Sequence, residues 1–266
     1  MLQFILRSKI IIFTIASAVG LYYMWDPLYL LISLISYVFL CVIGHFIGLH
    51  RYYSHSSFTC NKLVEGFLFI CSFLSGSGEP IGYTQRHTRH HMYADTPKDH
   101  LFPKKHPILT WIGHAAIKSE YVDTSKIAVP KRLTSNKFYV FINKYYDALY
   151  YIFIALALLL SFKLAFYILI VGGTIGFHSG YSISVLCHNY GYRNFDVADT
   201  STNNTFINWY TFGTGLHNNH HAVPNVYTHK IREDETDISA WFIKKFLATS
   251  VVEVTKRDLK NIKENN

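Results

Sequence analysis

The stretch Gly215–His221, GLHNNHH, organises this chain, because it places three histidines within five residues. Residues three and four apart are neighbours on a helix, so the three imidazoles share one face. Histidine is the commonest metal ligand, and a face of three imidazoles is therefore part of a metal site. The same spacing recurs at His87–His91, HTRHH. We predict that these two faces, with a few further histidines, enclose one metal centre at a membrane surface.

The composition is typical of a membrane protein. Half of the 266 residues are hydrophobic and only 16% are charged, whereas about a quarter are charged in soluble domains. The net charge of +8 suits phosphate-bearing partners such as lipid head groups or coenzyme A. The favoured explanation is an excess of basic residues in cytoplasmic loops. We expect no nucleic-acid partner.

The cysteines do not suggest a disulfide framework. No CxxC pair is present, and three of the four lie in or beside apolar stretches. We predict that they are small buried side chains. They are Cys41, Cys60, Cys71 and Cys187.

Four apolar runs form two pairs. A spanning helix takes about 20 apolar residues, and the second run qualifies while the first is slightly short. Asp26-Pro27 separates the first pair and Phe162-Lys163 the second, so each pair predicts a tight helical hairpin. The predicted spans are about 10–25, 28–49, 148–161 and 164–186.

Two hairpins return the chain to its starting side, which predicts that residues 50–147, residues 187–266 and both termini share one side of the membrane. The long loop on that side is rich in lysine and arginine, while the opposite turns carry only Asp26 and Lys163. By the positive-inside rule the shared side is the cytoplasm. The predicted fold is all-α: a polytopic membrane protein of one domain, 1–266, with four spans and a cytosolic helical cap.

Two shorter helices are expected outside the spans. Asn61–Ser75 is apolar but too short to span easily, which favours a buried or half-inserted helix. Asp237–Phe246 has an amphipathic pattern.

Nine clustered histidines are candidate metal ligands, and nine suit two ions because a single zinc takes three or four ligands. Imidazole binds iron, zinc, copper and nickel, so ligand type does not choose the metal. The absence of HExxH argues against a zinc protease. The nine are His50, His55, His87, His90, His91, His188, His217, His220 and His221. His188 is isolated, and its spacing alone does not decide its role.

Adjacent histidines point in different directions. His90-His91 and His220-His221 are each separated by about 100° around a helix, so the members of a pair can face different ions. Helical di-iron sites are usually built from Glu and ExxH, but these clusters contain no carboxylate. The remaining histidines are interpreted as structural: His45, His100, His106, His114, His178 and His229.

Together these motifs resemble the three histidine boxes of the membrane fatty acid desaturases. The boxes are HRYYSH at His50–His55, HTRHH at His87–His91 and HNNHH at His217–His221. The HRxxSH form, the HHxxxD that ends at Asp95, and CHNYGYRNF at Cys187–Phe195 are similar to the acyl-CoA Δ9 (stearoyl-CoA-type) branch. The resemblance covers about residues 44–254.

The resemblance implies four spans, a cytosolic cap, two irons, O2 as co-substrate and a tunnel for a kinked acyl chain. It makes His188 a metal ligand, since the family has a histidine before its (F/Y)G pair. The substrate would be a fatty acyl group on coenzyme A, acyl carrier protein or a lipid. Electrons would come from a separate donor of the cytochrome b5 or ferredoxin type, because no heme-binding HPGG is present. The membrane would be the cell inner membrane or the endoplasmic reticulum, depending on the organism.

Three positions depart from the family's pattern. Ser184 stands where the family has an asparagine that holds a metal-bound water, and its hydroxyl could hold the same water. Thr214 replaces a glutamate before the third box, and Tyr83 replaces a tryptophan before the second. None of these changes removes a ligand.

The expected reaction is the O2-dependent removal of two hydrogens from an unactivated acyl chain to leave a cis double bond. Alkyl C–H bonds are not acidic, so the chemistry needs an oxidant made by metal and O2. A membrane hydroxylase or monooxygenase on an alkyl, lipid or sterol substrate is the nearest alternative. A non-catalytic metal-binding or transport protein is a further one, but it would place charged or polar groups inside the spans, which are almost free of charge.

Overall fold

The computed structural model describes residues 8–261, and its architecture is mostly helical. The predicted positions of both termini therefore lie outside the described residues. The helices are α1 (Lys9–Met24), α2 (Pro27–Ser54), α3 (Lys62–Leu74), α4 (Pro80–Tyr93), α5 (Pro107–Trp111), α6 (Lys131–Thr134), α7 (Lys137–Leu160), α8 (Phe162–Leu186), α9 (Thr205–Tyr210), α10 (His217–Ala222) and α11 (Ile238–Phe242, continued by π-helical Ile243–Leu247). Short 3₁₀ turns cover Ala115–Lys118, Thr124–Lys126 and Asp258–Asn261.

A two-stranded antiparallel sheet is added to the helices. Strand β1 (Phe58–Thr59) pairs with β2 (Ser250–Val251), so that Phe58 faces Val251. The pair ties the segment after α11 to the segment after α2. The all-α prediction therefore needs a small correction. Strands of two residues are too short to produce a recognisable sequence pattern.

Three helices of the first half start at side-chain caps. Asp26 accepts a hydrogen bond from the backbone N–H of Leu28 at 3.0 Å, and Pro27 is the first residue of α2. Asn61 caps α3 in the same way. Glu79 caps α4 through the N–H groups of Ile81 and Gly82. Such caps satisfy N–H groups that the first helical turn leaves unpaired.

Two helices, α2 and α8, are long and apolar enough to cross a membrane, while α1 is shorter. The breaks between α1 and α2 and between α7 and α8 fall where the sequence predicts hairpin turns. Lys163 Nζ lies 2.6 Å from Asp26 Oδ2. This ion pair joins the two turns, so both are at the same end of the molecule.

Some helix ends differ from the predicted spans. α2 continues beyond residue 49 to Ser54, because His50 and Arg51 are buried inside the protein and need not leave the helix. α7 starts at Lys137 instead of about residue 148, and this extra length buries Tyr139 and Ile142. The predicted apolar helix of Asn61–Ser75 is present as α3, with Leu63 83% exposed at its start.

Candidate metal centre

The nine histidines predicted from the clusters come together where α2, α4, α8 and α10 meet. Their imidazole nitrogens form two groups, each with ligand atoms within 4.8 Å of one another. The five-histidine group consists of His50, His55, His87, His91 and His220. The four-histidine group consists of His90, His188, His217 and His221. Each adjacent pair is thus divided between the groups, as helical spacing predicts for neighbouring side chains.

The five-histidine group is built from Nε2 atoms. His50 Nε2 lies 3.0 Å from His220 Nε2, and His91 Nε2 lies 2.9 Å from the same atom. His87 Nε2 lies 2.7 Å from His55 Nε2. Ligands of a metal with bonds of about 2.1 Å stand about 3 Å apart when they are at right angles. The nitrogen spacing therefore matches that of a metal-binding site.

The π-helical part of α2 explains how His50 and His55 join one group. In an α-helix, residues five apart are about 140° apart around the axis. Val38–Ser54 is π-helical, and the N–H of His55 donates to the carbonyl of His50 at 3.1 Å. A hydrogen bond of this i→i+5 type places the two residues on the same side of the helix, and the centroids of their rings are 4.9 Å apart.

Three members of the four-histidine group donate a hydrogen bond to an aspartate. His90 Nδ1 lies 2.9 Å from Asp99 Oδ2. His188 Nδ1 lies 3.0 Å from Asp95 Oδ2. His221 Nδ1 lies 2.8 Å from Asp199 Oδ2. Such bonds fix the tautomer with the proton on Nδ1 and leave Nε2 free to bind a metal.

The short helix α10 is held by its two asparagines. Asn218 Oδ1 accepts hydrogen bonds from the N–H groups of Asn194 and Phe195, both at 2.8 Å. Asn219 Nδ2 donates to Glu235 Oε2 at 2.9 Å. Both asparagines are fully buried. A six-residue helix with no side-chain cap is thereby fixed to the segment after α8 and to the segment before α11.

Burial keeps most of these imidazoles neutral. Burial, followed by repulsion from neighbouring histidines, holds the pKa values of His217, His220 and His221 well below the ordinary value. Burial also lowers the pKa of His55 to about 3. Neutral imidazole is the form that binds metal, so these side chains need no deprotonation at neutral pH.

The aspartates remain ionised inside the protein. Burial raises the pKa of both Asp95 and Asp99. The hydrogen bond from His188 outweighs this effect at Asp95, and attraction to His90 outweighs it at Asp99, so both pKa values fall below normal. Burial likewise lowers the pKa of His90, but attraction to Asp99 reverses the shift and raises it. The ionised Asp99 thus makes the His90 imidazole more basic, which strengthens Nε2 as a candidate metal ligand.

The donor set fits a metal ion. His90 Nε2 is buried and has no hydrogen-bond partner. His217 Nε2 lies 3.2 Å from His188 Nε2 and 3.1 Å from His221 Nε2, although His188 and His221 carry their protons on Nδ1. A neutral His217 carries one ring proton, which it can donate fully to only one of these two Nε2 atoms, whereas a cation between the three nitrogens would satisfy all of them.

A buried ion pair stands behind the five-histidine group. Arg51 is 1% exposed and makes two hydrogen bonds to Asp237, at 3.0 and 3.1 Å. It also donates to the carbonyl of Tyr227 at 2.8 Å and lies 3.2 Å from His229 Nδ1. The His229 ring is 4.7 Å from that of His220. His229 lies outside both histidine groups, in keeping with its interpretation as a structural residue, and it packs directly against the candidate ligand His220.

A cavity of about 1130 Å³ opens beside the histidines and is lined by His50, His87, His90 and His217. Ser184 and Thr214, two of the three departures, also line it. The third, Tyr83, lines it as well, stacks on the His87 ring at 5.7 Å, and has its hydroxyl 3.0 Å from His45 Nε2. Each departure therefore changes the cavity wall and leaves the candidate ligands in place.

Sequence reasoning did not find the three supporting carboxylates. Asp95 is 93 residues from His188, and Asp199 is 22 residues from His221. No helical period connects such positions. The one available signal was the Asp of HHxxxD, Asp95, which the structure pairs with His188 and not with the box that contains it.

Comparison with known proteins places this arrangement in a family. The family model for fatty acid desaturases matches residues 25–246. An icosanoyl-CoA 5-desaturase of Limnanthes douglasii is 30% identical over 266 residues, covering 95% of this chain and 74% of the relative. An sn-1 stearoyl-lipid 9-desaturase of Anabaena variabilis is 32% identical over 203 residues, covering 74% of this chain and 72% of the relative.

A third relative, the Delta-9 acyl-lipid desaturase 2 of Arabidopsis thaliana, is 28% identical over 253 residues and covers 86% of this chain and 76% of its own length. The family match begins directly after α1 and ends at Phe246 in the π-helical end of α11, and it includes all nine clustered histidines. The chain therefore belongs to the fatty acid desaturase family and is an oxidoreductase of lipid metabolism.

Proposed function

We propose that this protein is an O2-dependent di-iron desaturase that introduces a cis double bond into a long-chain fatty acyl substrate, with Δ9-like regiochemistry. The observation that carries the proposal is the division of nine histidines into two adjacent groups. One group would hold each iron: His50, His55, His87, His91 and His220 the first, and His90, His188, His217 and His221 the second. When bound, the irons with O2 supply the oxidant that an unactivated C–H bond requires.

The residues that line the cavity would position the substrate. The cavity is larger than the usual about 300–1,000 Å³ of ligand pockets and has room for a long acyl chain. Phe46 and Phe177 give it apolar walls, and four of the histidines line it. An alkyl chain in this cavity would pass the candidate irons, and the depth it reaches would choose the bond. Ser184 would hold a metal-bound water through its hydroxyl.

Four spans with a cytoplasmic active site are part of the proposal. Besides α2 and α8, the helices α1 and α7 present apolar side chains outward: Tyr22 is 82%, Leu159 84% and Leu160 89% exposed. Lipid would cover such surfaces. Residues 1–266 would then form a single membrane-embedded domain, with both termini on the cytoplasmic side with the active site.

The carrier of the acyl group and the electron donor are proposed by analogy. Relatives are named for both acyl-CoA and acyl-lipid substrates, and for both the 5 and the 9 position. We infer a fatty acyl substrate on coenzyme A, acyl carrier protein or a lipid, and a separate electron donor of the cytochrome b5 or ferredoxin type.

The test is expression in a host that lacks its own desaturase, with a donor supplied and double bonds located by mass spectrometry. New cis unsaturation at carbon 9 supports the full proposal, whereas a bond at carbon 5 would correct only the regiochemistry. An alcohol that retains oxygen would favour the hydroxylase alternative. His220→Ala should be inactive, while His106→Ala, a histidine outside both groups, should retain activity.

A further inference from the structure

The two histidine groups differ in the charges behind them. Three of the four imidazoles in the four-histidine group donate to carboxylates, which are Asp95, Asp99 and Asp199. Within residues 8–261, no carboxylate forms an ion pair with a member of the five-histidine group. The Nδ1 atoms of His50 and His220 are buried there without a hydrogen-bond partner.

Among the described residues, the charged pair behind the five-histidine group is Arg51–Asp237, which is neutral overall. Arg51 follows His50 in the chain, and its charge is balanced by Asp237 at 3.0 Å. The four-histidine group thus has three negative charges at hydrogen-bonding distance, against none for its neighbour. The side chains of Asp95, Asp99 and Asp199 are 9%, 0% and 13% exposed, so solvent screens these charges weakly.

A carboxylate acts on a metal through the imidazole between them. When Nδ1–H donates to an anion, the ring becomes more basic and Nε2 donates more electron density. The negative charge also stabilises higher positive charge on the metal. Three such bonds around one site and none around the other therefore make two chemically similar sets of nitrogens electronically unequal.

We propose that Asp95, Asp99 and Asp199 are positioning residues that make the two iron sites redox-inequivalent, with the iron of the four-histidine group giving up its electron first. This inference rests on the proposed di-iron function. Each aspartate acts through one histidine: Asp95 through His188, Asp99 through His90, and Asp199 through His221.

The experiment uses full-length protein loaded with ⁵⁷Fe, reduced with dithionite and titrated anaerobically with ferricyanide. Each Fe²⁺ loses one electron, and ferricyanide gains it to become ferrocyanide. Mössbauer spectra follow each iron separately. We expect oxidation in two steps, with a mixed-valent state after one equivalent.

Three variants, Asp95→Asn, Asp99→Asn and Asp199→Asn, are made one at a time. Asparagine keeps the side-chain shape, and it tolerates the left-handed backbone of residue 95, whose φ is 62°. Each variant should raise the potential of the first-oxidised iron so that the two steps approach each other, and should bind that iron about 10–100-fold more weakly. The control is Asp123→Asn, a 40% exposed carboxylate that pairs with Lys126, which should leave both steps unchanged.

The outcomes separate this inference from the function on which it rests. If two irons bind but oxidise in one step, or if every Asp→Asn variant leaves both iron signals unchanged, the inequivalence is wrong and the di-iron proposal stands. If iron content falls from two to one and the lost signal is the first-oxidised iron, the inference is supported. If the unsubstituted protein binds no iron, the proposed metal centre itself fails, and this inference fails with it.

Discussion

Neighbouring residues at this site belong to different candidate metal sites, and the adjacent histidines show this most clearly. His220 belongs to the five-histidine group and His221 to the four-histidine group, although one peptide bond joins them. His220→Ala and His221→Ala should each reduce iron content, but from different sites. The expected result is that Mössbauer spectra of the two ⁵⁷Fe-loaded variants lack different iron signals. Loss of the same signal in both variants would contradict the division.

The buried ion pair predicts a stability effect at the same scale. Asp237→Asn leaves the Arg51 charge buried without its counter-ion, because Arg51 is 1% exposed. Breaking a buried pair in this way costs about 3–5 kcal/mol. Thermal unfolding in detergent should show the loss. Asp234→Asn, which breaks the partly exposed pair with Arg232, is the control and should change stability by less than about 1 kcal/mol.

At the scale of elements, the close approach of α2 and α3 depends on glycine. A Cβ on Gly44 would lie 2.2 Å from the carbonyl oxygen of Cys71, a backbone atom that cannot move aside. The Ser72 hydroxyl donates to the carbonyl of Gly44 at 2.7 Å. The two helices are thus packed backbone to backbone, next to the segment of α2 that leads to His50.

Gly44→Ala should therefore separate the helices. We expect a destabilisation of about 1–3 kcal/mol, the usual cost of overpacking, and weaker iron binding by the five-histidine group. Thermal unfolding and iron content measure the two effects. Gly66→Ala is the matched control, because a Cβ there meets nothing within 4 Å; it should be neutral or stabilising by up to about 1 kcal/mol. Equal losses in both variants would refute the packing argument.

For the whole molecule, the proposed topology puts the two hairpin turns on one side of the membrane and the metal centre on the other. Phe162 lies at the turn joined by the Asp26–Lys163 pair, and it is 58% exposed. Tyr190 follows α8 near the metal centre and is 65% exposed.

Single cysteines at these two positions should react from opposite sides. In a Cys60→Ser background, which removes the half-buried native thiol, Phe162→Cys should be labelled by an impermeant maleimide from outside intact cells or sealed vesicles. Tyr190→Cys should be labelled only after the membrane is opened. Labelling of both from one side would reject the four-span arrangement.

The sequence by itself determined the helical hairpins, the candidate ligands and the family. These follow from local rules: apolar runs set helix length, and spacings of three, four and one residues set which imidazoles share a face. The division of His90 from His91 and of His220 from His221 is one such local result. It could be predicted because neighbouring residues on a helix necessarily point in different directions.

Only the tertiary structure decided what surrounds those histidines. His50 and His55 lie in the same histidine group because of π-helical hydrogen bonding in α2, which no apolar pattern encodes. The pairing of His188 with Asp95 joins residues far apart in the chain, and the Arg51–Asp237 pair joins residues still further apart. Such contacts depend on how whole helices pack. The physical reason is that a charge acts through space and not along the chain, so its effect on a ligand appears only once the fold has brought the two together.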